Sequence, residues 1–407
     1  MINAVNYNVY TDDVLDDGIG NRTSVEQSRD DGQPPRSFGY TPNALNQYSA
    51  MTHPSFVEVS GSAAESSTVT VNNEATTRQG GTFRKELTGD NSAGPQWLDA
   101  EITDGTTTAD GSLPLPPASV TPIHDNDGNL TFDGLWNYTW DATNRLIRIE
   151  RNAALVTAGA PYLRIEYDYD SQGRRIRSST FTTNAATTPS KQTLFIFHGW
   201  KCVAELDALD GNQAIRKYTW GLDLAGDPGD FSTGNIGAIL WLVDSASNKT
   251  HVHLYDRNGN VSGLVDSTTR KKSATYDYDA FGQLVVSYGE YAKNNPFTYS
   301  TKHTDFDSGL CYYGYRWYSP NHGRWTSRDP IGESGGMNMY GFVGSDGVNW
   351  IDIFGLYGIW ISNGKNSAEN NGSNSMQKII KLNTFVECVK REVKRDPKFK
   401  VSITSKN

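Results

Sequence analysis

The chain has 407 residues, with 39 Gly, 21 Tyr, 10 Trp and many Thr and Asn, a composition for strands and turns rather than for long helices, so the class expected is all-β. Its net charge of −9 divides unevenly: residues 357–407 carry 10 Lys+Arg against 4 Asp+Glu (+6), leaving residues 1–356 with 27 against 42 (−15), which argues against nucleic-acid binding by the body and keeps it open for the tail. Cys202, Cys311 and Cys388 are three, widely spaced and without a CxxC, which excludes a disulfide framework and a thiolate metal site; no stretch approaches the ~18 apolar residues of a membrane span.

In chain order, "MINAVNYNVYTDDVLDDGIGNRT" has no basic segment followed by an apolar run, so no standard export signal is read in this chain. Residues 1–39 open a loose repeat of an aromatic extended run, an acidic turn, then Gly-Asn or a substitute: "YTDDVLDDGIGNRTSVE" at 10–26. Residues 40–122 interrupt it with a Ser/Thr/Val-rich stretch that reads as a small inserted β domain, ending in the Pro-rich "TADGSLPLPPASVTPIHD", expected to be an extended linker. The repeat resumes over 123–300, in "HDNDGNLTFDGLWNYTWDATNRLIRIE", "YDYDSQGRRIRSST", "LYDRNGNVSGLVDS" and "YDYDAFGQLVVSYGE".

Each copy reads as strand, tight turn, strand. Asp supplies a side-chain acceptor for turn N–H groups, and Gly or Asn supplies a left-handed backbone. Thr143 reads as the Gly equivalent of its copy, and the irregular spacing suits stacked hairpins in one extended sheet better than identical solenoid rungs.

Residues 301–356 are dense in Gly, Asp and aromatic residues, and the texture changes after Leu356. A polar linker precedes an amphipathic helix expected over 376–396, with Ser375 as its cap and Asp396-Pro397 as its end. One helix and the edge strand "KFKVSITSKN" fall short of an independent core. Residues 357–407 contain no His, which removes His-based nuclease chemistry from this segment.

The Tyr-Asp turns, "YTPNALNQY" and "DFDSGLCYYGYRWYSPNHGRWTSRDPIGESGGMNMYGFVGSDGVNWIDIFGL" resemble the rearrangement hotspot (RHS) or YD-repeat proteins, with 305–356 similar to their repeat-associated core domain. The resemblance implies a spiral β-sheet shell over 1–356 around a variable C-terminal toxin tip at 357–407. It also implies a core domain at 301–356 that cuts its own chain as an aspartyl protease, without metal or other cofactor. On that pattern the cleavage segment is Asp352, Gly355 and Leu356, with the cut before Tyr357; the family's Pro is Ile353 here. The catalytic carboxylates map to Asp329 and to Asp305 or Asp307, which compete for the position before "SGL", with Arg328 assisting.

Peptide hydrolysis needs one carboxylate to take a proton from water while a second, kept protonated, polarises the carbonyl. The partners implied are the chain's own tail as cargo, an immunity protein and a delivery or secretion machinery, with the protein bacterial and secreted or at the cell surface in a toxin system.

Plainer readings stand beside these. Asp305, Asp307 and Asp329 all sit in good turn sequences. His251 and His253 share a strand face at metal-capable spacing without a third ligand, and read as cross-strand histidines. Cys202 and His303 are tied by no spacing, so Cys202 reads as a buried thiol. The aromatic run 312–318 reads as sheet packing, with a surface glycan-binding face as the alternative. An inactive fragment of the shell is the structural alternative to a self-cutting carrier.

Overall fold

The computed structural model describes residues 3–4, 12–27, 35–222, 235–356 and 358–360. The tail helix expected over 376–396, Ser375, Cys388 and Tyr357 lie outside them. Among the described residues the dominant element is one open antiparallel sheet of fourteen strands, in strict chain order from Ile123–His124 to Leu284–Tyr288. Sequential hairpins build such a sheet because each strand pairs with the next along the chain, most of them across a short turn.

The turns explain the repeat. In Asp170-Ser-Gln-Gly173-Arg174, Asp170 Oδ1 accepts from the N–H groups of Gln172 (2.9 Å) and Arg174 (3.0 Å), and its Oδ2 accepts from Arg174 Nε (2.7 Å). Gly173 N–H closes on the Asp170 carbonyl at 3.0 Å with φ of +80°, a left-handed conformation that a side chain resists. Asp256 and Asp279 make the same turn with Asn260 and Gln283. In the copy at 141–145 the left-handed residue is Asn144 (φ +60°) and not Thr143, whose own N–H instead bonds Asp141 Oδ1. Asn replaces Gly there because its short polar side chain tolerates this backbone.

The aromatic residue ahead of each Asp has its own task. Register shifts fall at Trp140, Tyr169, Tyr255 and Tyr278, where the ladder breaks beside the turn. Each aromatic donates across to a carbonyl just past an earlier turn: Trp140 Nε1 to Leu130, Tyr169 OH to Leu146, Tyr255 OH to Ile239 and Tyr278 OH to Val261, at 2.6–2.7 Å. A carbonyl displaced from the ladder thereby keeps a partner.

One sheet face carries the core. Leu146, Ile149, Ile165 and Tyr167 pack with Leu310, Tyr312 and Trp317, and Leu242, Leu264 and Tyr276 pack with Tyr291 and Phe297. The opposite face is polar with scattered apolar residues such as Val252 and Leu254. His251 and His253 point inward and are buried; His251 Nδ1 lies 2.7 Å from Ser273 Oγ, and no group of three or more His, Cys, Asp or Glu able to hold a metal ion occurs among the described residues.

A five-stranded sheet holds Asp12–Asp16, Arg22–Gln27, Arg36–Pro42, Tyr48–Thr52 and Ser119–Val120, so the hairpin pattern runs through residue 40. The strands from Phe56 to Leu115 form two further four-stranded sheets, one of them including Asn3–Ala4. The segment expected as a Pro-rich linker is in part a strand: Thr108–Leu115 pairs along its length with Gln96–Thr103, because its prolines come only at its end.

Residues 301–356 lie against the line of turns. Tyr312 OH donates to the Gly173 carbonyl (3.2 Å), Tyr318 OH to Phe281 (2.7 Å) and Tyr340 OH to Gly128 (2.7 Å); Thr301 Oγ1 donates to Gly259 (2.7 Å) and Asn338 Nδ2 to Gly20 (3.2 Å). The turn backbones thus form a rim, and the core segment is fastened to it at five places across the sequence.

Candidate functional site

The segment Asp352-Ile353-Phe354-Gly355-Leu356 is built on the same turn chemistry as the repeats. Asp352 Oδ1 accepts from the N–H groups of Phe354 (3.1 Å), Gly355 (2.7 Å) and Leu356 (3.1 Å), and Gly355 takes φ of +75°. Ile353 occupies the place of the family's Pro with its side chain fully buried, and the turn forms without the ring. A Cβ at Gly355 would stand 3.1 Å from Arg316 Cβ, so close approach and the positive φ both call for glycine.

Successive carbonyls of the segment are each fixed. Lys302 Nζ donates to Ile353 (2.6 Å), Tyr315 N–H to Phe354 (3.1 Å) and Arg316 Nε to Gly355. Arg316 also donates through Nη1 to Met339 (3.2 Å), and its Nη2 stands 2.9 Å from Asp329 Oδ2 and 3.8 Å from Asp352 Oδ2. All three side chains are buried, with 2%, 6% and 3% of their surface exposed, so these charges interact with little solvent screening.

Asp329 is held by Arg316 and by the Ile331 N–H (2.9 Å). Burial pushes its carboxyl up to about 6, with Arg316 opposing the shift. Burial likewise raises Asp352 and lowers Lys302 to about 8. The four groups form two carboxylates and two cations enclosed together.

Gly335 defines where this cluster meets the chain. A Cβ built there would lie 2.4 Å from Asp329 Oδ2 and 3.0 Å from the Leu356 carbonyl oxygen. Asp329 and the Leu356 carbonyl therefore flank the same small space, kept open by the missing side chain. Chemically, an ionised carboxylate there can accept a proton from a water attacking that carbonyl, and the protonated acid can donate one to its oxygen.

Other residues expected at this site are placed elsewhere. Asp305 Oδ2 accepts from Tyr167 OH (2.8 Å), and its Oδ1 accepts from the N–H groups of Asp307 and Ser308. Asp305 is thus another turn former, and Asp307 is an exposed turn residue. Neither shares a hydrogen bond or ion pair with Asp329 among the described residues. Arg328, although adjacent to Asp329 in sequence, lays its stem against the 125–129 turn: a Cβ at Gly128 would fall 2.5 Å from Arg328 Cδ. Side chains of neighbouring extended residues point to opposite sides, which separates the pair.

Arg316 and Lys302 were not singled out by sequence. The signal that names Arg316 is the fold itself, which returns Gly355 to it across 39 residues. Cys202 and His303 do line one cleft, yet burial raises the Cys202 thiol and its Sγ contacts the Ala204 carbonyl, so it stays protonated. Residues 312, 313, 317 and 318 are buried, as sheet and core packing requires.

Open antiparallel sheets of Tyr-Asp hairpins, with a carboxylate-bearing core segment fastened to their turns, are the class of architecture the described residues form. Similar chains carry matching names. The tRNA nuclease WapA of Bacillus subtilis is 27% identical over 245 residues (58% of this chain, 9% of that protein). The probable deoxyribonuclease RhsA of Dickeya dadantii is 26% identical over 228 residues (54% and 14%), and toxin subunit YenC1 of Yersinia entomophaga 26% over 196 (47% and 19%). The chain thus spans no more than about a fifth of the length of these relatives.

Among solved structures, TcdB2-TccC3 without its hypervariable C-terminal region aligns over 88% of this chain and 19% of that one, at 15% identity and a TM-score of 0.43. No protein-family model matches. The chain is similar to RHS, YD-repeat proteins of the polymorphic-toxin type.

Proposed function

We propose that this chain is the shell and core of a toxin carrier that cuts its own backbone at Leu356–Tyr357 and so frees residues 357–407 as cargo. The observation that supports it most is the space above Gly335, with the Asp329 carboxyl on one side and the Leu356 carbonyl on the other. Ionised Asp329 takes a proton from water as it attacks the Leu356 carbonyl. That proton returns to the Tyr357 nitrogen as the Leu356–Tyr357 bond breaks, leaving a carboxyl on Leu356 and a free amine on Tyr357. Arg316, paired to Asp329, holds that carboxyl in place and fixes the Gly355 carbonyl next to the bond. Asp352 shapes the turn and shares the buried charge. Confinement of the bond beside the carboxyl supplies the effective concentration that a single turnover needs. An immunity protein against the cargo and a delivery machinery complete the system.

Intact-mass spectrometry of the purified chain tests this. Wild type is expected as two fragments, the smaller starting at Tyr357, while Asp329→Asn stays whole. Gly335→Ala, which fills the space between the two groups, is expected to fold and also stay whole. A wild-type chain that is folded and uncut would sink the reading.

A further inference from the structure

Trp200 sits far from the core segment in sequence, in the turn between strands Lys191–His198 and Lys201–Asp207 of the large sheet. That turn is anchored to its neighbour, since Arg174 Nη1 donates to the Gly199 carbonyl at 2.5 Å. Its indole stacks on two rings of the site: Phe354 at 5.4 Å and 51° between planes, and Tyr315 at 5.2 Å and 46°. Tyr315 in turn meets Phe354 edge-on at 6.4 Å, and its N–H holds the Phe354 carbonyl. Gly314 leaves room for this stack: a Cβ there would be 3.2 Å from the indole and 3.7 Å from the Phe354 oxygen.

The Trp200 and Phe354 rings border a cleft of about 540 Å³, part of it open to solvent, whose other walls include Phe197, Trp220 and Lys302. Phe354 is two residues ahead of Leu356, and the backbone between them has its carbonyls pinned at 353, 354 and 355. The ring contacts of Phe354 and these held carbonyls together set where the Leu356 carbonyl stands.

We propose, resting on the self-cleavage reading, that the Trp200 and Tyr315 rings seat the aromatic side chain at position 354, and that Trp200 is a positioning residue through which the shell sheet sets the scissile bond against Asp329. Trp200 touches no reacting atom. Cleavage then depends on a turn of the shell being folded and docked.

The test follows cleavage of the full chain during cell-free synthesis, by intact mass at timed intervals, for Trp200→Ala, Phe354→Ala, the double variant, Trp200→Phe and Asp329→Asn. Each single Ala variant is expected to slow cleavage by about tenfold or more, as small misplacements do at reacting centres. The double variant is expected to be no slower than the slower single, because both remove one contact. Trp200→Phe, which keeps a ring in the stack, is expected to recover most of the rate, and the pH at which the rate falls should be the same in every active variant.

Cleavage of Trp200→Ala at the wild-type rate overturns the inference, as do losses that multiply in the double variant or Trp200→Phe as slow as Trp200→Ala. Should Trp200→Ala not fold, Phe354→Ala against Trp200→Phe decides. An Asp329→Asn chain that still cleaves removes the underlying reading instead, whatever Trp200 does.

Discussion

At the scale of single residues, Asp329 is the group whose protonation the site controls. Its folded carboxyl titrates near 6 because burial disfavours the charge, while Arg316 moderates the shift. On the proposed mechanism Asp329 is the base and works only when ionised, so the first-order rate of self-cleavage should fall as pH is lowered through about 6, measured by quenched time courses on freshly synthesised chain. Arg316→Gln removes the charge that opposes the rise. The inflection should then move to higher pH, together with a lower maximum rate; an unmoved inflection would show that the titrating group is not the one beside Arg316.

At the scale of elements, the hairpin turn is the unit of construction, and its glycines separate conformational strain from crowding. A Cβ added at Gly173 (φ +80°) would meet nothing within 4 Å, whereas at Gly282 (φ +86°) it would stand 2.4 Å from the Tyr299 ring. Gly173→Ala should cost about 1 kcal/mol, the penalty of the left-handed backbone alone. Gly282→Ala adds overpacking and should cost about 3 kcal/mol. Urea titrations of the two variants read the difference, and equal losses would contradict the account.

These turns were legible in the sequence because everything they need lies within five residues, from Asp to the residue after Gly. Asp329, Asp352 and Gly355 were named instead by the resemblance of 305–356 to the RHS core pattern. What escaped was whatever the chain supplies from afar. Lys302 meets the Ile353 carbonyl across 51 residues and Arg316 meets Gly355 across 39, and no spacing encodes either. Adjacency pointed instead to Arg328, whose side chain leaves on the opposite side, and to Asp305, which spends its carboxylate on Tyr167 and its own turn. Thr143 failed as a glycine equivalent for a smaller reason: the left-handed site is one residue later, at Asn144.

At the scale of the whole molecule, the core segment ties separate sheets together through the rim of turns. Tyr340 is one such tie, donating to the Gly128 carbonyl of the large-sheet side and accepting from Gln47 Nε2 of the five-stranded sheet at 3.1 Å. Tyr340→Phe leaves both groups without this oxygen and should lower stability by about 1–3 kcal/mol. Denaturant unfolding followed separately by near-UV and far-UV signals checks it; a variant as stable as wild type would mean the sheets do not rely on this link.

The turns also reach one another. Arg145 Nη1 extends to the Asp170 carbonyl, Arg174 Nη1 to Gly199, Asn21 Nδ2 to Asn46 and Asn129 Nδ2 to Asn144. Four of the turns thus carry a clasp that fastens them to the next, received there at a backbone carbonyl or an amide oxygen. Growth by duplication needs no new invention at the seam. A sheet of this kind can be lengthened or shortened by whole hairpins, whereas the cluster of Arg316, Asp329 and the 352–356 turn is made by single, distant parts of the chain.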